Sequence, residues 1–297
     1  MRAMKAIYDV PAPAKLNLFL HLTGRRPDGY HLLQSVFMLV DWCDTLHFEL
    51  RSDGQIQRED LSEALPADDL IVRAARLLQQ TGQTPLGAQI SVQKNIPAQA
   101  GLGGGSSDAA STLLALNRLW GLQLSTEQLC ALAIRLGADV PFFIRGRNAW
   151  VEGIGDIIRP LETTEQCPPG RFIIVKPEAG LETAKIFSAP ELKRDKKPAT
   201  IAGFAADHYR FGENDLQPVA QRLCPEVTQA LNWLASSGLC PRMTGSGSAV
   251  FSHMLKQNES KLDLASAPGT WRIKQCSNME VHPLLGWATS DKSSVGV

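Results

Sequence analysis

The chain has 297 residues, which is enough for two domains with ordinary cores. Hydrophobic residues make up 44% of it and charged residues 20%, a composition typical of a soluble globular protein. The 30 basic residues balance the 30 acidic ones, and this formal net charge of zero argues against a nucleic-acid or membrane-surface partner. The six cysteines are scattered without a C-x-x-C pair, so we expect reduced thiols in a cytoplasmic protein.

The first predicted strand is the alternating segment from Lys15 to Leu22. Its leucines, at every second position, are expected to form core, while the opposite face with Lys15, Asn17, Phe19 and His21 is expected to be free for chemistry. A polar outer face, with Lys15 as an ordinary edge-strand lysine, fits the same alternation. The other elements predicted before the glycine-rich segment are strands near 35–40, 45–50 and 89–94 and a helix near 69–80, closed by Gly82.

A glycine-rich segment, residues 101–107, opens onto a predicted helix that ends near Gly121. Its glycines can take positive φ and turn several backbone N–H groups toward one point. The helix start adds unpaired N–H groups and the positive end of the helix dipole, which predicts an anion site. A flexible turn in which Ser106 or Ser107 caps the helix fits equally well. The segment does not match a P-loop, because it has no Gly-Lys-Ser/Thr. It does not match the dinucleotide-binding fingerprint either, because the third glycine of that motif is absent.

Further along, Ser125 and Gln128 have capping-box spacing, which predicts a helix that stops at Gly137, followed by a turn over 137–141. Prolines between 160 and 169 interrupt the regular patterns, so we predict two domains, residues 1–160 and 161–297. The elements predicted for the second half are a strand at 171–175, helices near 215–223 and 226–234, a glycine turn at 244–248 and a frayed tail after 290.

Three segments, in the right order, resemble the signature motifs of the GHMP kinases. Pro13-Ala-Lys-Leu-Asn-Leu18 is similar to the N-terminal motif of that family, Pro97–Ala110 to its ATP loop and Met243–Phe251 to its C-terminal glycine motif. Segments 24–31 and 137–143 are most similar to the members that phosphorylate a cytidine-diphosphate-linked methylerythritol. No diagnostic residue was found in 53–67 or 190–212.

The resemblance implies an α+β, two-domain kinase. Its first domain would be ribosomal-protein-like, with a left-handed β-α-β unit, and would bind ATP; its second would be ferredoxin-like. The γ-phosphate of ATP would pass to the tertiary 2-hydroxyl of the methylerythritol, in the non-mevalonate route to isoprenoid precursors. The implied partners are the cytidine-diphosphate-linked substrate and ATP, with Mg²⁺ bridging the phosphates, no nucleic acid, no membrane, and a monomer or homodimer.

The resemblance also implies roles for individual residues. Asp139 would accept the hydroxyl proton and Lys15 would stabilise the alkoxide. The sequence 137–141 is also typical of a turn, in which Asp139 would simply be an exposed aspartate. Tyr30 and Phe187 would stack on the cytosine, unless they simply pack in a core. No metal-binding cage is predicted, and Ser107 is the candidate for a contact to Mg²⁺. The implied ATP-binding residues are Pro97, Ala98, Gln99, Ala100, Gly101, Leu102, Gly103, Gly104, Gly105, Ser106 and Ser107, and the implied substrate-binding residues are Asn17, Tyr30, His31, Phe187, Thr183, Gly245 and Ser246.

Two competing hypotheses remain open at this point. Another GHMP kinase, acting on homoserine, a mevalonate or a sugar, would share the loop, but the Asp-Gly-Tyr-His sequence at 28–31 argues for the cytidyl substrate. A non-catalytic ligand-binding relative would share the fold, but the presence of both Lys15 and Asp139 argues against it.

Overall fold

The computed structural model describes residues 4–259 and 261–290, so the predicted frayed tail lies outside the described residues. In these ranges the chain forms ten strands and nine α-helices. The strands are β1 (Ala6–Arg25), β2 (His31–Arg51), β3 (Ile56–Asp60), β4 (Gly87–Gln93), β5 (Ala149–Glu152), β6 (Ile157–Pro160), β7 (Arg171–Lys176), β8 (Arg242–Met243), β9 (Val250–Met254) and β10 (Arg272–Met279). The helices are α1 (Leu70–Thr81), α2 (Gly104–Leu119), α3 (Thr126–Ala133), α4 (Val140–Arg145), α5 (Thr183–Phe187), α6 (Ile201–Ala206), α7 (Gln217–Leu223), α8 (Pro225–Ser236) and α9 (Lys256–Glu259).

The strands form one sheet with the order β3-β4-β2-β10-β7-β9-β8, to which β1 adds by pairing with β2, and β5 by pairing with β2 and β6. β3 and β4 are parallel and are joined through α1, whereas β1 and β2 form a long antiparallel hairpin. This mixture of helices with a largely antiparallel sheet confirms the predicted α+β class. The handedness of the β3-α1-β4 unit stays a prediction.

The two halves of the chain are connected by β10. This strand pairs with β7 from Arg272 to Ser277 and with β2 at Asn278 and Met279. A hydrophobic core is also shared, since Leu16 and Met38 belong to the same cluster as residues of β7 and β9. The predicted domain boundary at 160/161 stays a prediction.

Local sequence signals place several helix ends correctly. Asp69 caps α1, since its side chain accepts a hydrogen bond from the N–H of Val72 at 3.0 Å. Ser125 and Gln128 form the predicted capping box of α3, although that helix ends at Ala133, before Gly137. At α2 the capping alternative is wrong, because Gly103 occupies the N-cap with φ of 73° and both serines lie inside the helix.

The face of β1 that was predicted to be free divides in two: Lys15 and Asn17 line a cleft, whereas Phe19 and His21 are covered by other parts of the chain. Lys15, Asn17, Phe19 and His21 are all at most 6% exposed. The register with β2 shifts between Asn17 and Leu20, which breaks the strict alternation, and Phe19 packs in an aromatic cluster with Trp150 and with Phe204 of α6. The second face is covered because a distant part of the chain folds over it.

Candidate active site

A cleft of about 870 Å³ lies between the glycine-rich segment, β1 and the glycine turn 244–248. It brings together most of the residues predicted for ATP binding and catalysis. Ser107, by contrast, is fully buried behind it. The predicted residues that line the cleft are Lys15, Asn17, Pro97, Ala98, Gln99, Ala100, Gly101, Leu102, Gly103, Gly104, Gly105, Ser106, Asp139, Thr183, Gly245 and Ser246.

The glycine-rich segment is fixed by the second glycine turn. Gly101 has φ of +72°, and a Cβ there would overlap the carbonyl oxygen of Thr244, so only glycine fits the close approach of the two turns. Two backbone hydrogen bonds of 3.2 Å join 99–100 to 248–249. Gly104 and Gly105 are the first two residues of α2, so their N–H groups have no acceptor within the helix. This rigid start of a helix suits an anionic ligand.

Lys15 and Asp139 meet in the cleft from different elements. Lys15 lies on β1, and Asp139 immediately precedes α4, where its side chain makes no capping hydrogen bond. Their Nζ and Oδ2 atoms are 3.7 Å apart, with the lysine 5% and the aspartate 32% exposed. Burial lowers the pKa of Lys15, and the nearby Asp139 carboxylate opposes that shift. The lysine also lies 4.7 Å from the centre of the Phe37 ring.

Asn17 is held in one orientation by its neighbours. Its Oδ1 accepts from Lys15 Nζ, and its Nδ2 donates to Ser35 Oγ at 2.8 Å. Its backbone N–H donates to Thr244 Oγ1 at 2.9 Å, which links β1 to the second glycine turn. Asn214 holds the same turn by donating to the carbonyl oxygens of Met243 and Gly245 at 2.8 and 2.9 Å. The Lys15 amine is therefore positioned by an amide that is itself held by Ser35.

Thr183 and Ser246 form a polar contact across the cleft. Thr183 is the first residue of α5, Ser246 belongs to the second glycine turn, and their hydroxyl oxygens are 2.7 Å apart. The two residues thus join α5 to the turn, and both of them line the cleft.

A second cavity, of about 480 Å³, adjoins the cleft. Leu33 and Ile154 line both cavities, so the two are immediate neighbours. Tyr30, His31 and Phe187 lie in this second cavity, where the ring centres of His31 and Phe187 are 5.0 Å apart and Tyr30 is 60% exposed. Tyr30 is exposed, as expected for a binding residue, whereas Phe187 is half-buried and also packs against a hydrophobic core cluster. We call this cavity the aromatic pocket.

A buried charge cluster beside the cleft was missed by the sequence analysis. Lys94 Nζ bridges the carboxylates of Asp44 and Asp108, and Asp44 also accepts from the N–H groups of Asn95 and Ile96. Burial raises the pKa of Asp108 to about 8, with Lys94 opposing the shift. The cluster therefore holds the residues that lead into the glycine-rich segment against β2. Asp108 belongs to the ATP-loop motif Pro97–Ala110, but nothing local links it to Asp44, 64 positions earlier.

Arg194 is a second residue without a sequence signal. Its Nε donates to His31 Nε2 at 2.7 Å, which connects the stretch 190–212 to the aromatic pocket. No recurring spacing or motif surrounds this arginine in the sequence.

Ser107 is the residue that sequence analysis offered as a contact to Mg²⁺. Among the described residues its buried Oγ has no hydrogen-bond partner, and the same holds for Oδ1 of the adjacent Asp108. Within that part of the chain no group of three or more His, Cys, Asp or Glu side chains could hold a metal ion. Two unpaired oxygens at the start of α2 fit an ion held mainly by its own phosphate ligands and water.

Comparison with known proteins agrees with this geometry. The family model for the GHMP kinases N terminal domain matches residues 69–147, and the model for GHMP kinases C terminal matches 192–264. The 4-diphosphocytidyl-2-C-methyl-D-erythritol kinase of Acidovorax sp. (strain JS42) is 68% identical over 284 residues, covering 96% of this chain and 99% of that protein. The chain belongs to the GHMP kinase family. As a member, it is a small-molecule kinase with ATP as co-substrate, which confirms the predicted enzyme class.

Other relatives of this GHMP kinase support the assignment. The 4-diphosphocytidyl-2-C-methyl-D-erythritol kinase of Paracidovorax citrulli (strain AAC00-1) is 63% identical, covering 97% of this chain and all of the relative. A crystal structure of 4-(cytidine 5'-diphospho)-2C-methyl-D-erythritol kinase superimposes with a TM-score of 0.76 at 32% identity, covering 90% of this chain and 98% of that one. A homoserine kinase from Cytophaga hutchinsonii shares the fold, with a TM-score of 0.71 at 15% identity, covering 95% and 98%. The predicted two-domain GHMP kinase fold is thereby confirmed. In the described part of the kinase no helix has the length and apolar character needed to cross a bilayer.

Proposed function

We propose that the kinase transfers the γ-phosphate of ATP to the 2-hydroxyl of 4-diphosphocytidyl-2-C-methyl-D-erythritol. The observation that carries the proposal is that the aromatic pocket lies beside the cleft that contains Lys15 and Asp139, with Leu33 and Ile154 lining both. A nucleobase in the pocket would leave its diphosphate and polyol directed into the cleft. The names of the relatives described above support the same substrate.

The glycine-rich segment would bind the triphosphate of ATP. It offers the unpaired N–H groups at the start of α2 and the positive end of the helix dipole, on a backbone held rigid by the second glycine turn. Ser106 and the backbone of Gly103 line the same wall. A bound Mg²⁺ would neutralise phosphate charge, with Ser107 Oγ and Asp108 Oδ1 as the protein oxygens available to hold it.

Asp139 would act as the general base. As the substrate hydroxyl attacks the γ-phosphorus, a new O–P bond forms, the bond to the β,γ-bridging oxygen breaks, and ADP leaves with that electron pair. The hydroxyl proton passes to the Asp139 carboxylate, which makes no capping hydrogen bond at the start of α4. Lys15, 3.7 Å from Asp139, stabilises the negative charge that develops on the attacking oxygen.

Substrate recognition would divide between the pocket and the cleft. Tyr30 and Phe187 would stack on the cytosine, while His31 would hydrogen-bond its edge. Asn17 would contact the polyol beside Lys15, and the backbone of Gly245 and the hydroxyls of Thr183 and Ser246 the diphosphate. The product would feed the non-mevalonate route to isoprenoid precursors.

A substrate panel tests the proposal. ADP release is coupled to NADH oxidation with 4-diphosphocytidyl-2-C-methyl-D-erythritol, homoserine and mevalonate as separate acceptors. We expect the largest kcat/KM with the cytidyl substrate. Faster transfer to homoserine or mevalonate would show that the chain is a different GHMP kinase.

A further inference from the structure

The guanidinium of Arg194 connects the two sides of the aromatic pocket. Its Nε donates to His31 Nε2 at 2.7 Å, at the start of β2. Its Nη1 donates to the carbonyl oxygen of Leu192 at 2.7 Å, and its Nη2 to those of Ala189 and Phe187 at 3.0 and 3.4 Å. One planar group thus holds the histidine and the end of the segment that carries Phe187.

The contact with Arg194 determines which nitrogen of His31 carries the proton. A guanidinium stays protonated in proteins and can only donate, so His31 Nε2 must be the acceptor. The neutral ring then has its hydrogen on Nδ1. Protonation of His31 is disfavoured, since burial lowers its pKa and the charges of Arg194 and Arg25 lower it further. Among the described residues Nδ1 has no protein hydrogen-bond partner.

This tautomer suits one edge of a cytosine. The base carries two neighbouring acceptors, the ring nitrogen N3 and the carbonyl oxygen O2. An Nδ1–H group can donate to such an edge, whereas the other tautomer would present a lone pair to it. The ring already lies against Phe187, with the two ring centres 5.0 Å apart, so stacking surface and donor belong to one assembly.

We propose that Arg194 is a positioning residue for the cytidyl substrate, which fixes His31 as an Nδ1–H donor and holds Phe187 opposite it. The inference rests on the proposed function for the identity of the base. Arg194 itself touches no reacting atom, since its hydrogen bonds go to His31 and to three backbone carbonyl groups. Its contribution is to the binding of one substrate, and we expect no contribution to the transfer step or to ATP binding.

The test compares Arg194→Met with Arg194→Lys, and uses Lys193→Met as a matched control, because Lys193 is an exposed cation next in sequence. For Arg194→Met we expect KM for the cytidyl substrate to rise about tenfold, with kcat and KM for ATP within about twofold of the parent. Arg194→Lys keeps one donor and should recover part of this loss. Lys193→Met should match the parent.

Nitrogen-15 NMR of the histidine rings reports the tautomer in the enzyme without substrate, independently of any activity. His31 should be protonated at Nδ1 in the parent and in the Lys193→Met variant, and should shift toward the Nε2–H form in Arg194→Met. An unchanged tautomer in Arg194→Met, or equal losses in both KM values, would overturn the proposal. If Arg194→Met does not fold, an Arg194→Lys variant with parental KM and an Nε2–H His31 would overturn it equally. Failure of the cytidyl compound as a substrate of the parent would refute the proposed function and leave the NMR result standing.

Discussion

Replacing Asp139 by asparagine tests the assignment of the general base. The substitution keeps the shape of the side chain and removes its ability to take a proton. The side chain makes no capping bond to α4, so the helix does not depend on it. We expect Asp139→Asn to lose most of kcat and to keep the KM values for ATP and the cytidyl substrate within a few-fold.

The magnitude follows from two separate contributions. A positioned general base contributes about 10²- to 10⁴-fold, equivalent to about 3 to 5 kcal/mol in the activation barrier. The ion pair with Lys15 is 3.7 Å long and the carboxylate is 32% exposed, so solvent screens it and its loss should cost about 1 to 2 kcal/mol of folding free energy. A domain of ordinary stability tolerates that loss. The effect on the barrier therefore exceeds the effect on folding.

The assay is ADP release at saturating substrates, with urea unfolding measured on the same samples. Asp68→Asn is the matched control, since Asp68 also forms an ion pair, 3.4 Å long, with Arg76. The Asp68 side chain is far more exposed than the Asp139 side chain. The control should keep full activity. Retention of kcat within about fivefold in Asp139→Asn would refute the assignment, and so would equal losses in the two variants.

Three further variants test the loop, the pocket and the pH dependence of folding. Gly101→Ala should cost about 2 kcal/mol in unfolding free energy, measured in urea, because its Cβ overlaps the second glycine turn; Gly105→Ala meets only ordinary contact and should retain the parental value. Phe187→Ala should raise KM for the cytidyl substrate by about 5- to 150-fold, the equivalent of about 1 to 3 kcal/mol of stacking, and an equal rise in KM for ATP would contradict the pocket assignment. Burial lowers the pKa of His282 to about 4, so between pH 4 and 6.5 the unfolded chain binds a proton that the folded chain does not, and stability falls as the pH drops through that window. The parent should lose about 2 kcal/mol from this group between pH 7 and 5, and His282→Asn should lose correspondingly less in urea titrations at the two pH values; equal losses would show that His282 does not titrate in that window.

Much of the local structure could be predicted, because its causes lie within a few residues. The capping box of Ser125 and Gln128 and the cap at Asp69 are short-range hydrogen bonds with a fixed spacing. The prediction of an anion site at Gly101–Ser107 likewise rests on glycine conformation and on the helix that follows, and the structure has both features. The sequence of this segment alone fits a serine-capped turn and an anion-binding site equally well.

The remaining features depend on contacts between distant segments. Phe19 is buried because α6, about 180 positions later, covers the second face of β1. Lys94 joins two carboxylates that are 64 positions apart. Arg194 lies in a stretch where no motif was recognised, and it reaches His31 only after the two halves of the chain have come together. Such pairs leave no periodic signal in one sequence.

The position of phosphate transfer is the most direct measure of the central proposal. The enzyme would be incubated with ATP and 4-diphosphocytidyl-2-C-methyl-D-erythritol labelled with carbon-13 in the polyol, and the product examined by carbon-13 and phosphorus-31 NMR. We predict a single new phosphate coupled to carbon 2, formed about 10²- to 10⁴-fold more slowly by Asp139→Asn. A phosphate on any other carbon, or no transfer to this acceptor, would contradict the proposed function.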